Sequence, residues 1–168
     1  MSETRFRAHH LRDTIVCVSR TQKAVTVQRE NSGARDRDTS ELALSVSGYA
    51  FGETIERLKG AIAANGNTLF AQIDQSEAAE RAGLRLRPTT LLIFGNPKAG
   101  TALMDAFPLA ALDLPLKCLV WENDGAVSVA YVPMRVIAAR HGLTGKDALV
   151  GAIDQALKAL VDAIAQTQ

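Results

Sequence analysis

The sequence is poor in cysteine and lacks any long apolar run. Its 168 residues include two cysteines, Cys17 and Cys118, which are too few and too far apart for a disulfide framework or a thiolate metal site. No stretch approaches the roughly 20 apolar residues of a membrane-spanning helix, and the basic start at residues 1–12 is not followed by a signal-peptide core. We therefore expect a cytoplasmic protein with buried free thiols and no membrane association.

Excess positive charge is also lacking. The formal net charge is +1, and residues 41–168 carry eleven Lys and Arg against thirteen Asp and Glu. Binding to a phosphate backbone needs a clustered basic face, which these residues do not provide. Nucleic acid is therefore not expected as a partner.

Several enzyme signatures are missing. The sequence contains no Gly-x-Ser-x-Gly, His-Glu-x-x-His or Cys-x-x-Cys motif and no dinucleotide-binding glycine fingerprint. The adjacent pair His9-His10 has no nearby third ligand, so it does not predict a metal site. We expect neither a metal nor a cofactor.

What remains is the composition of a globular protein, with 47% hydrophobic and 22% charged residues. Residues 1–40 end in the polar run Arg29–Ser40 and are interpreted as a partly flexible N-terminal extension. Residues 41–168 are long enough for one domain with a sizeable core. They are predicted to form a single α+β domain that ends in a long helix.

The periodicity of residues 41–168 predicts a series of strands and helices. A half-buried strand at Leu42–Val46 is followed by a helix over Phe51–Ile62, and Asp74 with Glu77 forms a capping box for a short helix. Asp124-Gly125 predicts a hairpin turn. The remaining predicted elements are strands at Thr68–Ile73, Thr89–Phe94, Leu116–Trp121 and Ala126–Val132, a helical piece at Ala102–Phe107 and two C-terminal helices, the last capped by Thr144 and Asp147. This order favours a two-layer sandwich, in which a mixed, mostly antiparallel sheet of about five strands has helices on one face.

One long segment carries a family resemblance. Residues 86–101 read LRPTTLLIFGNPKAGT, and shorter matching pieces occur at residues 54–58, 70–74, 112–117 and 120–122. From about Leu42 to Leu143 the sequence resembles domain-of-unknown-function family 302. The resemblance implies a compact α+β domain that self-associates and has no established activity. The chain departs from the family at Gln75, where a histidine is usual, and residues 1–40 and the long last helix are additions to it.

The best candidate site from sequence is the segment after the strand Thr89–Phe94. A glycine-flanked loop between a buried strand and a helix start can aim several backbone amides at an anion, and Lys98 and Thr101 add a charge and a hydroxyl. The alternative is a tight turn that uses Gly95 and Asn96-Pro97 only to reverse the chain. We predict that a small anionic or polar ligand is held by Gly95, Asn96, Lys98, Gly100, Thr101, Asp74 and Asp113.

Two other functions remain open. The first is an enzyme with a carboxylate-based site, made from Asp74, Asp113, Glu122 and Lys98, which requires these groups to converge. Against this, capping explains Asp74, a turn explains Asp113, and His141 suits the end of a helix. The second is a homo-oligomeric interaction module that performs no chemistry. The ligand-binding domain is itself expected to be a homodimer.

Overall fold

The computed structural model describes residues 41–165, together with the backbone of two short strands nearer the N-terminus. The chain divides into two compact units, residues 1–39 and 40–168. In the first unit, β1 (His10–Leu11) and β2 (Thr14–Ile15) pair antiparallel. The interpretations of Arg29–Ser40, Cys17 and the His9-His10 side chains fall outside the described residues.

The second unit is built on a five-stranded sheet. Its strands, in chain order, are β3 (Ala43–Val46), β4 (Thr68–Asp74), β5 (Thr89–Gly95), β6 (Leu116–Asn123) and β7 (Ala126–Tyr131). The spatial order is β3-β7-β6-β5-β4, and every neighbouring pair is antiparallel. The predicted α+β class and the five-stranded sheet are therefore confirmed, and the described sheet contains no parallel pair.

Helices connect these strands and cover one face of the sheet. They are α1 (Phe51–Ala64), α2 (Gln75–Arg81), α3 (Pro97–Ala106), α4 (Met134–His141) and α5 (Asp147–Asp162), with a 3₁₀ helix at Pro108–Leu112. α1 begins after the edge strand β3 and ends before the other edge strand, β4, so it crosses the whole sheet.

The core lies between this helical layer and the inward residues of the sheet. Alternate residues of β5, including Leu92 and Phe94, are buried, as expected for side chains that point to one face of a strand. α1 contributes Leu58 and Ile62 at a spacing of four, which keeps both on one helical face. α5 contributes Leu157 and Leu160 in the same way, and Ile164 is buried in the turn that follows this helix. Burial of these apolar stripes holds the two layers together.

Two local signals predicted from the sequence are confirmed. The Oδ1 atom of Asp74 accepts a hydrogen bond from the backbone N–H of Glu77 at 2.9 Å, so this side chain caps α2. The β6–β7 hairpin turns at Asp124 and Gly125, with φ of 51° and 80°. Two consecutive positive φ values match the twist of a tight hairpin, and glycine adopts the second at no steric cost.

Three sequence predictions are corrected by the structure. α3 begins at Pro97 rather than Ala102, because Asn96 caps it and proline is tolerated in the first helical turn. The N-cap of α5 is Lys146, with no side-chain cap, so Thr144 does not serve in that role. In β3, Leu44 and Val46 are 52% and 69% exposed, because they point away from the helical layer.

Candidate functional site

The segment predicted as a glycine-flanked loop is mostly the first turn of a helix. Gly95 ends β5, Asn96 is the N-cap of α3, and Lys98, Gly100 and Thr101 belong to that helix. The side-chain amide of Asn96 also donates to the carbonyl of Gly66 at 3.1 Å, which ties the start of α3 to the end of α1. The strand-to-helix connection therefore contains one residue, Asn96.

The backbone amides on which the anion hypothesis depends already have partners. The Oδ1 atom of Asn96 accepts hydrogen bonds from the N–H groups of Lys98 at 3.0 Å and Ala99 at 3.3 Å. The N–H of Gly100 donates to the carbonyl of Asn96 at 2.8 Å. An external anion would have to displace these acceptors, so the geometry gives no support to an amide-lined anion site.

An apolar cavity of about 100 Å³ lies beside the same segment. Its walls come from the ends of β4, β5 and β6, from one side of α3, from one side of α5 and from the turn before β6. The principal apolar residues in these walls are Phe70, Phe94, Leu116, Leu103, Met104, Ile153, Ala156, Leu157, Leu160, Leu114 and Pro115. The two polar side chains of the lining are Asn67 and Asn96. This composition suits an apolar guest.

Three of the predicted site residues line the cavity and four do not. Gly95, Asn96 and Gly100 lie in the lining, where Gly95 and Gly100 keep their positions free of side-chain atoms. Lys98 and Thr101 occupy the same turn of α3 but are exposed and outside the lining. Asp74 and Asp113 are half-buried and also lie outside the lining. The segment predicted from the sequence therefore borders the cavity, but the charged and hydroxyl groups predicted to hold an anion lie outside its lining.

Asp113 lies near the cavity but its carboxylate is used elsewhere. Its Oδ2 atom is 2.7 Å from Nε2 of His141 and 3.0 Å from Nη1 of Arg140, so it connects the turn before β6 to the end of α4. The hydrogen bond from His141, followed by the one from Arg140, holds the pKa of Asp113 below its ordinary value of 3.8. This carboxylate stays ionised at neutral pH and acts as an anchor between two elements.

Asp74 and Glu122 lie at the far end of the sheet. Asp74 pairs with Thr90 near the start of β5, whereas Gly95 is the last residue of that strand. Five residues of strand separate these ends by about 17 Å. Glu122 is also at the far end, where its N–H donates to the carbonyl of Pro88. The four groups of the carboxylate-enzyme hypothesis are thus divided between the two ends of the sheet.

Other reactive groups do not form an alternative centre within residues 41–165. Cys118 is buried in β6, and burial raises the pKa of its thiol to about 12, which suppresses the thiolate. No group of three or more His, Cys, Asp and Glu side chains in this range is arranged to hold a metal ion.

Sequence reasoning missed most of the cavity lining. Leu103 and Met104 lie on α3, and Ile153 and Leu160 lie on α5, where their spacing is that of an ordinary core-facing stripe. Nothing in such a stripe distinguishes a residue beside a void from one packed in the core. Asn67 follows the glycine at the end of α1 and had no signal of its own.

Comparison with known proteins identifies the family. The model of the family described as "Domain of unknown function DUF302" matches residues 43–166, which is most of the chain. The chain belongs to the DUF302 family. The predicted resemblance is therefore confirmed, and it extends through the last helix, which sequence reasoning had treated as an addition.

A solved DUF302 structure has the same fold. It is an uncharacterized conserved DUF302 protein from Bacillus stearothermophilus, with 22% sequence identity and a TM-score of 0.63. The match covers 74% of this chain and 98% of that one. At this identity the likeness establishes the architecture of the DUF302 domain and nothing about its ligand.

The chain also resembles part of a group of Brucella proteins. It is 39% identical over 105 residues to "Fluoride-specific ion channel FluC 1" of Brucella suis biovar 1, covering 62% of this chain and 41% of that protein. The protein of the same name from Brucella abortus biovar 1 is also 39% identical over 105 residues, with 39% of its length covered. This DUF302 chain thus spans about two-fifths of the channel proteins that it matches. Among its described residues, no helix is both long enough and apolar enough to cross a membrane.

Proposed function

We propose that this DUF302 domain binds a small, largely apolar molecule in the cavity between the end of β5, α3 and α5. The observation that carries the proposal is the contrast between the size of the cavity, about 100 Å³, and the scarcity of polar groups in its walls. By volume it would hold about three water molecules, but water needs two to four polar partners to be stable in such a space. An enclosed apolar cavity of about 150 Å³, larger than this one, takes up benzene instead.

The polar side chains at the cavity suggest where a polar group on the ligand would lie. The side chain of Asn96 is already hydrogen-bonded: its oxygen accepts from the backbone amides of Lys98 and Ala99, and its amide donates to the carbonyl of Gly66. The side chain of Asn67 makes no hydrogen bond with other described residues. Its amide is therefore available to a single hydroxyl, amine or carbonyl group. The ligand class we favour is a benzene-sized ring or short alkyl chain with at most one polar substituent.

Ligand screening by thermal shift tests this proposal. Benzene, phenol, indole and hexanol are expected to raise the melting temperature of the chain, because they bind the folded state alone. Sodium fluoride, sulfate and phosphate at matched ionic strength are expected to leave it unchanged, because the amides at the start of α3 are already hydrogen-bonded. A shift with the anions and none with the apolar probes would reverse the assignment.

A matched pair of glycine substitutions locates the binding to this cavity. Gly100→Ala places a methyl group in the lining, where its carbon would lie 3.8 Å from Cε of Met104. Gly60→Ala in α1 has nothing within 4 Å of the new carbon. Both replacements are helical and should stabilise the fold by up to about 1 kcal/mol. We expect the affinity for benzene to fall at least tenfold in Gly100→Ala and to be unchanged in Gly60→Ala; equal affinities would place the ligand elsewhere.

We propose as a second candidate that the domain takes part in fluoride tolerance. Support comes from the 39% identity to part of proteins named fluoride-specific ion channels. Since three-fifths of those proteins have no counterpart in this chain, the matched part would be an accessory domain. Growth of a deletion strain in sodium fluoride, compared with sodium chloride, tests this role. Equal growth in the two salts would remove the candidate.

We also propose that the domain works in the cytoplasm. Cys118 is a free, buried thiol, which fits a reducing compartment. Localisation of the tagged full-length protein by cell fractionation would test this placement, and recovery in a secreted fraction would contradict it.

A further inference from the structure

The face of the sheet that points away from the helices carries a continuous apolar row. The strand registers align Leu44 with Ala130, Ala130 with Leu119, Leu119 with Leu91 and Leu91 with Ile73. Each of the five strands therefore contributes one apolar residue to a single line across the sheet. Leu119 is at its centre, on the middle strand β6.

The rows on either side extend this apolar surface. Val46 and Trp121 lie in one neighbouring row, which also contains the uncharged polar residues Ser128 and Thr89, and Ile93 lies in the other row beside Lys117. Lys117 is the one charged residue at the outward positions of the described strands. Its ammonium donates to the carbonyls of Asp113 and Pro115, at the end of the sheet, and so leaves the centre of the face uncharged.

This composition is unusual for a sheet face in water. Antiparallel sheets with one solvated face normally alternate apolar residues toward the core with polar residues outward. Here Leu44, Val46 and Ile73 are 52%, 69% and 42% exposed. The alternating pattern of β3 predicted that Leu44 and Val46 would be buried. Both side chains instead point to this exposed face. Burial of these residues requires a second surface.

We propose that this face packs against the same face of a second copy of the chain. A two-fold axis that lies between the two sheets, parallel to them and above Leu119, would bring the two patches face to face with Leu119 of each copy at the centre, because β6 has two strands on each side. Two such sheets would stack about 10 Å apart with their outward side chains interleaved. A heterologous partner is not required, since the exposed groups are apolar on both sides of the centre.

The size of the face agrees with a reversible dimer. Five strands spaced about 4.8 Å apart and three rows of outward residues give a patch of roughly 24 Å by 20 Å, about 480 Å² in projection. Side-chain relief brings the accessible surface near the 600 Å² per partner at which specific interfaces begin. We therefore expect a dimer that dissociates on dilution into the micromolar range.

Sedimentation velocity of the full chain over a dilution series tests the dimer. The wild type is expected to shift from dimer to monomer on dilution. Leu119→Lys places a positive charge from each copy at the centre of the interface, so we expect this substitution to weaken the dimer at least 100-fold. Leu44→Lys, at an exposed edge-strand position, should weaken it less and keeps the test valid if Leu119→Lys fails to fold. The matched control is Leu109→Lys, since Leu109 is 71% exposed on the 3₁₀ helix and should leave the dimer unchanged.

Each other outcome overturns the proposal. A wild type that remains monomeric at the highest concentration would show that a second copy does not cover this face. A dimer that survives both Leu119→Lys and Leu44→Lys with native circular dichroism would place the interface elsewhere. Because none of these residues lines the cavity, the result is independent of the small-molecule screen.

Discussion

Removal of the Asp154 side chain should destabilise the domain, because this residue of α5 caps the N-terminus of α4. Asp154 lies on α5, but its carboxylate accepts hydrogen bonds from the backbone N–H groups of Met134 at 2.6 Å and Arg135 at 3.2 Å. These are the first two residues of α4, whose N-cap, Pro133, supplies no side-chain cap. Asp154 therefore does for α4 what a capping residue usually does within one helix.

The magnitude follows from the groups that Asp154→Ala leaves behind. Loss of an N-cap side chain costs about 1 kcal/mol, and a buried donor left without a partner costs about 1–3 kcal/mol. Met134 is fully buried, so water cannot replace the carboxylate at its amide. Alanine recovers about 0.6 kcal/mol or less through its helix propensity. We expect a net loss of about 2 kcal/mol, and about 1 kcal/mol for Asp154→Asn, which keeps one acceptor oxygen.

Urea denaturation followed by circular dichroism measures this difference. Asp162→Ala is the control on the same helix, because Asp162 makes an exposed ion pair with Lys158 and such pairs contribute about 0.5 kcal/mol or less. If Asp154→Ala and Asp162→Ala unfold with free energies within about 0.5 kcal/mol of each other, tertiary capping of α4 by α5 does not stabilise the domain, and the reasoning fails.

Two further predictions concern acid stability and a buried hydroxyl. The pKa of Asp113 is lowered on folding, so the stability that it contributes is present above about pH 4 and is lost as the pH falls through its folded-state pKa. The gap in unfolding free energy between wild type and Asp113→Asn should therefore shrink below pH 4, and a gap that stays constant would contradict this. Thr90 is 1% exposed, and its hydroxyl has no partner within the described residues, so Thr90→Val should stabilise the domain by about 1 kcal/mol in urea denaturation. A loss of stability would mean that this hydroxyl is hydrogen-bonded after all.

Some features of the domain were determined by short stretches of sequence. The hairpin at Asp124-Gly125 and the cap from Asp74 to Glu77 depend on residues within three positions of each other. Local chemistry restricts the backbone there whatever the rest of the chain does. The spacing of Ile55, Leu58 and Ile62 likewise predicts the buried side of α1, because helical geometry alone places those side chains together.

Other features depended on contacts between residues far apart in the chain. Asn96-Pro97 is typical of a turn and also of a helix start, and the structure forms the helix, with the Asn96 amide bound to Gly66, thirty residues earlier. The cavity exists because α3 and α5 approach the end of β5 without filling the space between Gly100 and Leu160. A cavity of this kind depends on how distant elements pack, so no local sequence pattern predicts it.

Apart from the first turn of α3, the sequence by itself determined which segments become strands and helices and which of their sides are apolar. Only the tertiary structure decided what those sides face. Leu44 and Val46 form as regular an apolar alternation as any strand core, but the path of α1 across the opposite face leaves them exposed. Periodicity specifies that a side must be buried, whereas the surface that buries it is set by the packing of distant elements.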